Sequence, residues 1–150
     1  MKKLIFLLLT VILFASELKI TSKQFYYNSK AMTSVFIGNV KAVKDNDNIF
    51  ADKLTVFFNK DKKPVKIEAI GNVKFKISMD NNSTYSGKCD KLFYYIKTGD
   101  ILLIGNAFIK KIETNESISG DRIKINRITK NIEVLGNKNK PVNIIIKVNQ

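Results

Sequence analysis

Between residues 65 and 77 apolar and polar side chains take turns. Val65, Ile67, Ala69, Gly71, Val73, Phe75 and Ile77 hold one parity, and Lys66, Glu68, Ile70, Asn72, Lys74 and Lys76 hold the other. A period of two puts the sets on opposite faces of a strand, one packed and one in water. The pattern returns elsewhere: Leu54, Val56 and Phe58 share a parity, as do Leu92, Tyr94 and Ile96, and Ile123 with Ile125. Facing them are Phe36 and Val40, then Ile67, Ala69, Val73 and Phe75, then Ile101, Leu103, Ala107 and Ile109. Hydrophilic stretches at 44–48, 59–63, 80–84, 97–100, 113–116 and 137–140 separate these runs. Such spacing predicts an all-β, antiparallel sandwich or jelly roll and leaves no room for helical crossovers. From periodicity alone, an ordinary sandwich core accounts for the inward set.

The strands also repeat. Gly-Asn occurs at Gly38-Asn39, Gly71-Asn72, Gly105-Asn106 and Gly136-Asn137, at steps of 33, 34 and 31 residues. A fixed period of that size marks one supersecondary unit used several times. The first three copies sit inside an apolar-apolar-Gly-Asn-apolar pattern, and the second keeps its alternation through Gly71 without a phase break. A bend or bulge within a strand fits better than a hairpin turn. Interleaved with these pairs are Ala51-Asp52-Lys53-Leu54, Cys89-Asp90-Lys91-Leu92 and Gly120-Asp121-Arg122-Ile123, with a degenerate leading copy at Ser22-Lys23-Gln24-Phe25. β-Branched and aromatic residues are abundant, as a pleated, half-buried surface requires.

Composition narrows the chemistry. Met1-Lys2-Lys3, the eleven-residue apolar run Leu4 to Phe14 interrupted only by Thr10, and Ala15-Ser16 have the build of a secretory signal peptide. Eleven helical residues reach about 16 Å, well short of the ~30 Å needed to span a bilayer. The expected division is therefore a leader over 1–16 and one domain over 17–150. Cys89 is the only cysteine, so no internal disulfide is available, and it fills the slot of the small residues Ala51 and Gly120. A packing role follows. The chain has no His, which removes the usual general base and most metal sites. Asp52, Asp90 and Asp121 are copies of one repeat position, which marks them as architectural. No catalytic residue, metal or cofactor is predicted.

Net charge is +13, with 26 basic residues of which only Arg122 and Arg127 are arginine. An anionic partner is one explanation. An AT-rich coding sequence and a solvated lysine face are the others. Export and the lack of an arginine-rich patch or binding module argue against nucleic acid.

The ordered series of motifs resembles the OstA-like family over nearly all of the chain beyond the leader. Leu18-Lys19-Ile20-Thr21-Ser22 is similar to that family's opening strand, and residues 36–40, 49–58, 89–109 and 119–123 continue the likeness. Lys23, where the repeat carries an acid, and Lys138, where an apolar residue follows Gly-Asn, depart from the pattern. The resemblance implies a slightly open, twisted β jelly roll in the periplasm whose apolar interior receives the acyl chains of lipopolysaccharide (lipid A). It also implies copies stacked end to end through edge strands, between inner-membrane and outer-membrane components, with no bond made or broken. Parity and resemblance together nominate Leu18, Ile20, Leu54, Val56, Phe58, Phe75, Leu92, Tyr94, Ile96, Leu103, Ile123 and Ile125 for lipid contact. Lys19, Lys41 and Lys110 are nominated as rim cations for lipid phosphates. The β-forming segment 142–148 is a candidate edge for strand addition to another copy or partner. Two alternatives stand beside this reading: a membrane-anchored sister component of the same pathway, and a β-rich adhesion or structural module with a closed core.

Overall fold

The computed structural model describes residues 17–148; the leader expected over 1–16 lies outside them. Ten strands follow in chain order: β1 (Leu18–Thr21), β2 (Gln24–Asn28), β3 (Thr33–Lys44), β4 (Asp47–Phe58), β5 (Pro64–Asp80), β6 (Ser83–Tyr95), β7 (Asp100–Lys111), β8 (Ser117–Asn126), β9 (Ile132–Leu135) and β10 (Asn143–Ile145). All belong to one sheet, and every pairing is antiparallel. The long strands β3 to β8 form a meander. At one edge β1 and β2 lie end to end along β3, and at the other β10 and β9 lie end to end along β8. This is the all-β, antiparallel fold that the alternation predicted, in the open form that the family resemblance implied.

The repeats explain how so long a meander folds on itself. Gly38, Gly71 and Gly105 have φ of +89°, +86° and +81°, and the following Asn39, Asn72 and Asn106 have φ of +45°, +49° and +48°. Glycine and asparagine are the residues that enter this left-handed region at least cost. In each copy two residues oppose a single Asp on the neighbouring strand, which is a β-bulge. The phase break falls on the Asp-bearing strands. Asp52-Lys53, Asp90-Lys91 and Asp121-Arg122 are consecutive and outward, so Ala51 and Leu54, Cys89 and Leu92, and Gly120 and Ile123 all point inward.

The bulges line up across the sheet and crease it. On one side of the crease lie β1, β10 and residues 40–51, 73–89 and 107–120, the β1 half. On the other lie β2, β9 and residues 33–37, 53–70, 91–104 and 122–126, the β2 half. The inner faces of the halves pack together. The larger core joins Phe75, Ile77, Ala107 and Ile109 of the β1 half to Leu92, Ile101, Leu103, Ile123 and Ile125 of the β2 half. A smaller cluster joins Val40 and Ala42 to Leu54 and Val56.

Two sequence expectations need correction. Gly136-Asn137 does not bend a strand: it lies in the loop between β9 and β10, and Asn137 Oδ1 accepts hydrogen bonds from the amides of Asn139 and Lys140 at 2.9 and 2.7 Å. With its side chain held by its own turn, and Lys138 in place of an apolar anchor, the fourth copy loops out. Within 142–148 only Asn143–Ile145 forms a strand.

Candidate functional site

Where the halves diverge they leave an open cavity of about 370 Å³. The β1 half contributes Leu18, Ile20, Ala42, Ile49, Phe75 and Ile77 to its walls; the β2 half and the turn after β6 contribute Leu54, Ile67, Leu92, Tyr94, Ile96 and Ile101. These apolar side chains, with Pro64 at the start of β5, converge because period-two alternation supplies one inward side chain every second residue. The charged side chains gather at the rim, where Lys44, Asp45, Asp47 and Asn48, in and beside the β3–β4 turn, meet Arg127 just beyond β8. A volume of this size suits a ligand pocket.

Arg127 closes one side of the mouth. Its Nη2 donates to Asp47 Oδ2 at 2.9 Å and to the Ser78 carbonyl at 3.1 Å, while the Ser78 amide donates to Asp47 Oδ1 at 2.9 Å. The guanidinium also lies 5.9 Å from the Tyr94 ring centroid. Lys130 and Asp80, 3.1 Å apart, form a second, more exposed bridge between the same lips. The Asp80 carboxyl is held below its usual range, first by the Asn82 amide and then by Lys130.

Of the twelve residues nominated from sequence, Leu18, Ile20, Leu54, Phe75, Leu92, Tyr94 and Ile96 line this cavity. Val56 and Phe58 pack in the smaller cluster beside it. Leu103, Ile123 and Ile125 are fully buried in the larger core. Lys19, Lys41 and Lys110 are not at the rim. Each alternates with an inward neighbour, Ile20, Ala42 and Ile109 respectively, and so points from the outer face. Sequence reasoning missed Arg127 as a rim residue, although its being one of two arginines was a usable signal. It also missed Ala42 and Ile49, whose strands have weak alternation.

The remaining conspicuous residues serve the framework. Asn72 Nδ2 donates to Asp52 Oδ2 at 2.9 Å, and Asn106 Nδ2 to Asp90 Oδ2 at 3.1 Å, so the repeated acids anchor the bulges. Cys89 is buried. Burial first, and the neighbouring Asp90 second, push its thiol up to about 12, leaving almost no reactive thiolate near neutrality. A second cavity of about 260 Å³ lies between Tyr85, Ile109, Ile118 and Ile132 and the terminal residues Ile144 to Ile146.

A creased, open antiparallel sheet with a cleft between its halves defines the class, a β jelly roll. Residues 19–131 match the family model described as LptA/(LptD N-terminal domain) LPS transport protein, and the chain belongs to that family, as its OstA-like motifs implied. Among solved structures it is similar to the crystal structure of LptH, "the LptA homologous periplasmic component of the conserved lipopolysaccharide transport device from Pseudomonas aeruginosa". The two share 10% sequence identity at a TM-score of 0.77, over 88% of this chain and 96% of that one. At that identity the likeness speaks to the fold. Comparison with curated proteins finds no match.

Proposed function

We propose that this protein carries lipopolysaccharide through the periplasm, sheltering lipid A acyl chains in the cavity while phosphates and sugars stay in water. The observation that carries the reading is the open, apolar cleft with charge only at its rim. A closed-core adhesion module would not leave such a space. Each CH₂ moved from water into an apolar site is worth ~0.8 kcal/mol, so a multi-acylated lipid needs shelter to cross an aqueous compartment. Walls of Leu, Ile and Phe match a membrane interior in polarity, which permits release as well as capture. Direction must come from elsewhere, because a carrier offers only differential affinity.

Bridging follows from the sheet's two edges. Both are made of short strands with exposed apolar residues, Phe25, Tyr26 and Tyr27 on β2 and Ile144 and Ile145 on β10. Unpaired edges invite strand addition, so copies of this fold stack end to end between an inner-membrane and an outer-membrane component, with their clefts in series. Mass spectrometry of lipid released from the exported, purified protein tests the cargo. Lipid A species at near-stoichiometric yield are expected; protein free of lipid that also fails to displace fluorescent lipid A would contradict the reading. N-terminal sequencing of the same sample separates a cleaved bridge protein from an anchored sister component, which retains residues 1–16.

A further inference from the structure

Two cross-strand rows run over the outer face of the β1 half. One contains Lys19, Lys76 and Lys110, and the other Lys41, Lys74 and Lys88. Phe50 and Phe108 stand in the second row, with Lys41 Nζ 5.6 Å from the Phe50 ring centroid and Lys88 Nζ 5.9 Å from that of Phe108. No Asp or Glu occupies any position of either row. Neither ion pair found among the described residues uses these lysines. Lys74 and Lys88 are directly opposite across β5 and β6, an arrangement that weakens a sheet.

Composition does not account for this concentration. The outer face of the β2 half is built by the same repeats under the same codon usage; next to the crease it carries a basic row of Lys53, Lys91 and Arg122, but farther out Glu68, Lys124 and Glu133 share one row and Lys66 and Asp100 another. Both rows of the β1 half carry lysine as their only charged residue, at a cost in self-repulsion. A lysine field two rows wide, bounded at the crease by Asp52, Asp90 and Asp121, is complementary to a plane of phosphates, and an exposed ring such as Phe50 suits the boundary between headgroups and acyl chains. Neither row contains arginine, so the bidentate fork used to read nucleic acid is missing.

We propose that this lysine face docks the protein onto an anionic lipid bilayer, with headgroup phosphates as the ligand. The β3–β4 turn that forms one lip of the cavity belongs to the same half-sheet, so docking holds that lip close to the membrane surface. The proposal does not rest on the groove reading, because it concerns the opposite face of the sheet and its test contains no lipopolysaccharide.

The test is co-sedimentation of the exported, purified protein with phosphatidylcholine vesicles, with and without phosphatidylglycerol. Binding only to the anionic vesicles, declining as salt is raised, is expected. Lys74→Gln/Lys88→Gln should weaken it about 25-fold, at about fivefold per neutralised lysine. Lys53→Gln/Lys91→Gln, an equal charge change on the other half, should leave it unchanged. Circular dichroism melting confirms that each variant is folded, and Lys41→Gln/Lys76→Gln replaces the first pair if it is not. Equal loss in both pairs would reduce the effect to net charge and overturn the proposal. So would indifference to phosphatidylglycerol, or binding to a duplex oligonucleotide in the absence of vesicle binding.

Discussion

Gly105 shows how one residue controls the shape of this protein. Its φ of +81° lies where L side chains are strained, and a Cβ there would come within 2.4 Å of Asp90 Oδ2. The acid is not free to move, because Asn106 Nδ2 holds it at 3.1 Å. Gly105→Ala is expected to destabilise the fold by about 1–3 kcal/mol, read from the urea midpoint at constant slope. A loss below about 0.5 kcal/mol, the range of an inconsequential surface change, would contradict the bulge account. The Gly-Asn pairs were legible because positive φ leaves a compositional trace at fixed period. Their Asp partners were legible only as repeats, since which side chain meets which depends on register across strands. Gly136 could not be distinguished from its sisters by its own dipeptide; the difference lies in Lys138 and in the turn closed by Asn137.

At the scale of elements, alternation identified the six long strands and their inward faces because burial on one face imposes a period of two. It said less about the short edge strands. β1 and β2 are split where the Lys23 amide donates to the carbonyls of Ile37 and Gly38 at 3.1 and 3.0 Å, opposite the first bulge. At the far edge β10 pairs only with β8, its three residues are exposed, and neither core cluster includes any residue beyond Val134. Deleting 142–150 should therefore leave a folded monomer that no longer associates with itself or with partners of the same fold. Light scattering measures this directly, and association equal to that of the intact chain would remove β10 from the stacking interface.

For the whole molecule, the decisive event is the folding of one sheet along its crease so that two inner faces meet. Periodicity supplied both faces but not the places where they part, which is why five of the twelve nominated residues lie in the packed clusters away from the cavity walls. Val56 and Phe58 fill the smaller cluster, and Leu103, Ile123 and Ile125 the larger. The pair that fixes one side of the mouth, Arg127 with Asp47, joins residues 80 positions apart and belongs to no repeat. No local pattern could reveal it. The central claim is that lipid acyl chains occupy the space between the halves, and site-specific photocrosslinking in cells tests it most directly. Phe75 and Tyr94 line that space, whereas Lys66 stacks on the outer face, its Nζ 4.4 Å from the Phe57 ring centroid. A photoreactive residue at Phe75 or Tyr94 is predicted to form an adduct with lipopolysaccharide and one at Lys66 is not; equal labelling at all three, or labelling at Lys66 alone, would contradict the account.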